Sequence, residues 1–178
     1  MIRYEDENEI IMKYALIPPV DVKKIISEIG ITYVERYMPE GQSGFIEYDG
    51  WTCTIAVNIE DGPQRKRFTA AHELGHFLKH RDLLKRHKHL DRLYDEYANR
   101  NPEQPLDHQH EVQANQFAAS LLMPRRTIEN EIAKGVTSIR DLARTFDVSR
   151  MAMEYRLKAL NLQDRVNDEP APQAVFGM

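Results

Sequence analysis

The chain has 178 residues, 42% hydrophobic and 29% charged, with a net charge of −4 at pH 7. This is the balance of a globular protein with its own core, and it excludes a disordered chain and a polycation built to coat nucleic acid or an anionic membrane. Cys53 is the single cysteine, which excludes an intramolecular disulfide and a cysteine-built structural zinc site.

No apolar run approaches the length that spans a bilayer, and the N-terminal Met1-Ile-Arg-Tyr-Glu-Asp-Glu-Asn-Glu9 lacks the basic start and apolar centre of a secretion signal; a cytoplasmic protein with no membrane partner is expected. Ile10, Ile11, Met12, Tyr14, Ala15 and Leu16 recur at helical spacing, predicting a first helix over residues 7–16 that Pro18-Pro19 stops. Val22, Ile25, Ile26 and Ile29 form the stripe of a second helix, ended by Gly30. The β-branched and aromatic run 31–37 predicts a strand, and residues 42–59 a hairpin turning at Asp49-Gly50, with Thr52 to Asn58 as the candidate free sheet edge.

Gly62-Pro63 then breaks the chain and starts a helix to about His80, with Phe68, Ala70, Ala71, Leu74, Phe77 and Leu78 making it largely buried. Within it lies His-Glu-x-x-His: His72 and His76, four residues apart, stack on one helix face. That spacing suits one zinc ion bonded at about 2.0–2.1 Å to two imidazoles, with a third protein ligand and an open position for water. Glu73 stands beside the first histidine, where it can take a proton from that water.

Residues 81–106 combine a basic run (Arg81, Lys85, Arg86, His87, Lys88, His89, Arg92) with Asp91, Asp95 and Glu96 and a Pro-flanked stretch ending at Pro105, and read as a loop or partly helical lid on the surface. Next, Ala114, Phe117, Ala118, Leu121 and Leu122 form the stripe of a further helix with Glu111 near its start. Glu111, 35 residues after His76, is the preferred third ligand, and Asn115 one turn on points the same way and can orient a ligating histidine. Asp82, six residues after His76, is the rival; its motif needs a glycine where this chain has Lys79. His80, His108 and His110 stay open as ligands, and Tyr94, Tyr97, His108 and His110 as oxyanion stabilisers. Cys53 receives no role.

The stretches Arg67-Phe-Thr-Ala-Ala-His-Glu-Leu-Gly-His76, with His80 after it, and Glu111-Val-Gln-Ala-Asn-Gln-Phe-Ala-Ala-Ser-Leu-Leu-Met-Pro124 together resemble the ImmA/IrrE family of zinc metallo-endopeptidases, a thermolysin-like (gluzincin) group; the resemblance covers residues 20–162. It implies an α+β, zincin-like domain over residues 1–124, in which a small twisted sheet accompanies the His-Glu-x-x-His helix and the Glu helix. It implies Zn2+ held by His72, His76 and Glu111, with Glu73 as general base. It also implies a protein substrate, typically a helix-turn-helix transcriptional repressor in a phage, mobile-element or stress-response circuit. Larger members carry a C-terminal sensor domain; this sequence stops soon after its last helices, so no built-in small-molecule sensor is expected.

Beyond Pro124, helices are predicted over residues 125–134, from a Thr137-Ser138 cap through Ile139, Leu142, Ala143 and Phe146, and over 150–160 after a turn at Asp147-Val-Ser149. The segment 125–162 resembles a helix-turn-helix, with Ser149, Arg150, Met151 and Met153 opening the recognition helix. From Ser138 to Arg165 basic residues exceed acidic ones by two, modest against a polyanion, so a helical buttress or protein dock is expected before a DNA reader. Residues 163–178 read as a disordered tail. The competing function is a DNA-binding or protein-interaction module whose zinc site is structural or degenerate.

Overall fold

The sheet is the floor on which the histidine helix rests. The computed structural model describes residues 4–87, 89–93 and 107–167. Two helices, α1 (Tyr4–Ala15) and α2 (Val22–Glu28), precede β1 (Thr32–Arg36), β2 (Gln42–Tyr48) and β3 (Cys53–Asn58). The long α3 (Pro63–Lys79) follows, then α4 (Arg81–His87), β4 (His89–Leu93), α5 (His108–Leu122), α6 (Arg125–Ala133), α7 (Ile139–Phe146) and α8 (Arg150–Ala159). The strands lie in the order β1-β3-β2-β4, with β1 parallel to β3 and the other pairs antiparallel. The fold is mixed α+β. Among the described residues no helix is long and apolar enough to cross a membrane.

Two expectations change here. The strand 52–58 is not an edge: β3 sits between β1 and β2, and the outer strands are β1 and β4. Its sequence carried the signal, because Ile55, Ala56 and Val57 are consecutive and all fully buried, the mark of a strand covered on both faces. The charged stretch after His80, expected as a loop or partly helical lid, is helical at its start, as that reading allows, and adds a strand that it does not foresee. It supplies α4 and β4, elements of 7 and 5 residues, too short for periodicity to reveal; β4 forms by backbone pairing with β2, Leu90 opposite Ile46 and Asp91 opposite Phe45. The remainder of that stretch, 94–106, with Tyr94 and Tyr97, lies outside the described residues.

Glycine sets how closely α3 approaches the sheet. A side chain at Gly44 in β2 would come within 2.3 Å of Thr69 Cγ2 on α3 and 2.7 Å of the Ala56 carbonyl oxygen, so only glycine fits there. With the sheet on one side and α5 on the other, Thr69 to His76 are all buried. Such a helix is apolar all round except where chemistry requires otherwise.

The C-terminal helices share this core. Leu142, Phe146, Met153 and Leu157 belong to the same buried cluster as Leu74, Leu122 and Ile128. Ser138 and Ser149 cap α7 and α8, accepting from the amides of Asp141 and Ala152. Between these helices Asp147 adopts a left-handed conformation (φ 49°). Its turn is gripped by Arg67 of α3, which donates to the carbonyls of Phe146 (3.1 Å) and Asp147, pairs with the Asp147 carboxylate (2.9 Å) and reaches the Val20 carbonyl (2.9 Å). Arg156 of α8 donates to the Met123 carbonyl at the end of α5.

Residues 163–167, expected in a disordered tail, are instead part of the fold. Gln163–Arg165 forms a 3-10 turn, the apolar Val166 is buried, and the Asn167 backbone bonds to Thr137 and Ile139. Burial of Val166 supplies the anchoring that a composition argument overlooks; residues 168–178 lie outside the described residues.

Candidate metal centre

The site is made where α3 and α5 touch. A Cβ on Gly75, between Glu73 and His76, would lie 3.1 Å from Phe117 Cδ1 and 3.2 and 3.3 Å from the Ala114 backbone. Glycine therefore lets the backbone of α5 come down onto α3, and Ala114 and Ala118, both fully buried, present no bulk against it. The start of α5 is fixed separately. Asp107 caps the helix by accepting from the His110 amide at 2.9 Å, and His110 Nδ1 accepts from the Asp107 amide at 3.1 Å.

This packing brings His72, His76 and Glu111 together, with one ligand atom from each within 4.8 Å of the others. The two Nε2 atoms are 2.9 Å apart, and each lies 3.2 Å from a Glu111 oxygen. Both histidines are fully buried, and Glu111 is 23% exposed. A tetrahedral zinc shell with bonds of about 2.0–2.1 Å sets neighbouring donors roughly 3.3–3.4 Å apart, so the observed triangle fits one such ion with little adjustment. The donor chemistry agrees. Two inward lone pairs at 2.9 Å repel, a shared proton relieves only that pair, and a cation at the centre satisfies all three donors. Burial works against ionisation of Glu111, but its contacts with the His72 and His76 rings outweigh it and hold the carboxyl well below its ordinary range.

Around this triangle, His72 Nδ1 lies 3.0 Å from Asn115 Oδ1. His76 Nδ1 lies 3.0 Å from His80 Nδ1, and His80 Nε2 lies 2.9 Å from Gln113 Oε1. Glu73 is 1% exposed on the same turn of α3. Burial lowers the pKa of His80, partly countered by Gln113, so this ring is neutral at pH 7.

The other sequence candidates stand apart from the triangle. Asp82 is exposed in the first turn of α4, His108 is exposed, and the His110 Nδ1 is engaged at the α5 cap. Cys53 is buried in β3, and burial pushes its thiol up to about 12, an inert core residue. His80, a possible ligand by sequence, instead contacts the Nδ1 of His76, and the four-residue step from His76, repeating the spacing of the ligand pair, is the signal for that contact. Gln113 left no signal, since only the packing of α5 on α3 brings it to His80. Beside the site runs a groove of about 920 Å3, lined by Phe68, Ala119, Met151, Ala152 and Tyr155 and bordered by Asn115.

The family model for the IrrE N-terminal-like domain (Peptidase M78) matches residues 26–158. The radiation response metalloprotease IrrE of Deinococcus deserti is 37% identical over 131 residues, covering 72% of this chain and 43% of that protein. The protein of the same name from Deinococcus radiodurans is 30% identical over 148 residues, covering 80% of this chain and 42% of that one. The chain thus spans less than half the length of these curated relatives. In fold, it resembles a Mycobacterium tuberculosis transcriptional regulator, with a TM-score of 0.53 at 17% identity over 94% of this chain and 46% of that structure. The matched span contains α3 and α5 entire, and with them all the residues of the triangle, so the chain belongs to the ImmA/IrrE family, whose curated relatives here are named metalloproteases.

Proposed function

We propose that this protein is a zinc-dependent endopeptidase that cleaves a protein substrate, in all respects of chemistry a hydrolase. The observation that carries the reading is the convergence of His72, His76 and Glu111 next to the buried carboxyl of Glu73. In this reading the three residues hold zinc, and Asn115 orients His72 through its Nδ1–H. When bound, zinc supplies a Lewis acid for the scissile carbonyl and lowers the pKa of a water molecule toward about 7. Glu73 accepts the proton from the attacking water and returns it to the departing amine nitrogen. Burial of Glu73 keeps bulk water from competing for that proton, and the adjoining groove gives the flanking side chains of a polypeptide an apolar seat.

The substrate we favour is a helix-turn-helix transcriptional repressor in a phage, mobile-element or stress-response circuit, met in the cytoplasm. Residues 1–124 form the peptidase unit, and residues 125–162, a helix-turn-helix-like segment, serve as a buttress. The clamps from Arg67 and Arg156, and the burial of Phe146 and Leu157, support the buttress over a DNA reader.

The test pairs wild type with Glu73→Gln against the helix-turn-helix protein encoded beside the gene. Discrete fragments from wild type, absent with Glu73→Gln while zinc content is unchanged, are expected. Cleavage that persists in Glu73→Gln would sink the assignment, and zinc binding with no role for Glu73 would favour a structural site in an interaction module.

A further inference from the structure

We propose that His80 and Gln113 are positioning residues that fix the tautomer and orientation of His76 as a metal ligand; this rests on the zinc reading above. The two ligand rings are held differently. His72 faces an amide oxygen directly, at 3.0 Å from Asn115 Oδ1. His76 faces a second imidazole, and that imidazole faces the amide.

The protons along this chain can be assigned by valence alone. A neutral imidazole carries one N–H, and a ring whose Nε2 lone pair points at a cation carries it on Nδ1. His76 Nε2 points into the triangle, 3.2 Å from Glu111, so its Nδ1–H donates to His80 Nδ1. His80 must then accept there and hold its own proton on Nε2, which donates to Gln113 Oε1 at 2.9 Å. Each donor meets one acceptor and none is left over. His80 is 6% exposed, so water does not compete for the contact. It approaches His76 at the nitrogen opposite the one facing Glu111, the position of an orienting group and not of a fourth ligand.

This arrangement has two chemical consequences. Both holders, Asn115 and the His80–Gln113 pair, are neutral, so the donor set carries only the charge of Glu111 and leaves the metal strongly electrophilic. And α5 supplies Glu111, Gln113 and Asn115 together, so one helix delivers the third ligand and the terminal holder of each histidine.

The experiment measures zinc affinity of the full chain by competition with a chromophoric chelator, and the visible spectrum of the Co2+-loaded protein. Outer partners of metal-bound histidines typically change affinity or activity by about 10- to 100-fold. His80→Leu is expected to raise the zinc Kd by that factor while its Co2+ spectrum keeps the wild-type ligand set. His80→Gln, whose amide oxygen can accept from His76 Nδ1–H, should recover most of the loss. Gln113→Leu, at an exposed position that does not threaten folding, should raise the Kd by about tenfold, the low end of that range. Zinc affinities of His80→Leu and Gln113→Leu within twofold of wild type would overturn the proposal, as would a Co2+ spectrum showing that His80→Leu has lost a nitrogen ligand. A wild-type chain that binds no zinc would overturn the metal site itself, a result distinct from either.

Discussion

The two halves of α3 are held by opposite kinds of chemistry. Toward its start, Arg67 is a donor that locks onto backbone carbonyls of residues distant in sequence, Val20, Phe146 and Asp147. Toward its end, His72 and His76 each turn one ring nitrogen toward a carboxylate on α5 and the other toward a side chain, Asn115 or His80. The first half spends its polar groups on stability and the second on function. Substitutions in the two halves should therefore separate folding from chemistry.

The largest effect expected is on activity alone. Glu73→Gln removes the general base from the functional half and should lower kcat by about 10²–10⁴-fold, with the melting temperature and zinc content of wild type. A large fall in stability instead would mean that Glu73 is a structural carboxyl and that the division fails. Next comes Arg67→Ala in the structural half. Leaving its carbonyl partners without their charged donor should cost about 2–4 kcal/mol, a fall in Tm of roughly 4–16 °C for a chain of this size, while the folded fraction still binds zinc. Normal stability with lost zinc would reverse the comparison.

Gly75→Ala sharpens it, because this position serves both roles. The added methyl must push back the Ala114 backbone, and overpacking of this kind costs about 1–3 kcal/mol. Since α5 carries Glu111, zinc affinity should fall in the same variant. Unchanged affinity would show that the close approach of the helices does not set the third ligand.

How much of this was legible in the sequence follows the same line. The hairpin, the long buried helix and the capped α7 and α8 announced themselves through apolar spacing and turn residues, as did the pairing of His72 with His76. Arg67 stood in plain view within the family-like stretch, yet its partners are backbone carbonyls, which have no residue identity to read. The relation of His80 to Gln113 was hidden for a different reason: 33 residues separate them, and only a glycine at 75 and alanine at 114 make them neighbours. β4 was missed because a short, charged strand owes its existence to the backbone of β2 and not to its own pattern. The place of β3 inside the sheet was available in Ile55-Ala56-Val57, had the unbroken apolar run been weighed above the alternation of its flanks.

The smallest effect belongs to the surface. Lys23, then Lys66, hold the Glu35 carboxyl down to about 2 from an ordinary 4.5. A carboxyl with a depressed folded-state pKa stabilises the fold above the unfolded value and loses that contribution as pH falls through the folded one, so the window is pH 4.5 to 2. Because Glu35 is 25% exposed and Lys23 57%, solvent screens the pairs and Glu35→Gln should cost under about 1 kcal/mol at pH 7. Denaturation curves for the two proteins should converge by about pH 2; a gap that widens on acidification would show the sign to be wrong.

The central claim is that α3 and α5 jointly hold a catalytic metal, and zinc stoichiometry under metal-replete conditions tests it most directly. The account predicts one zinc per chain in wild type and in Glu73→Gln, and loss of nearly all of it in Glu111→Ala with the fold intact. Full zinc retention in Glu111→Ala, or none in wild type, would contradict it.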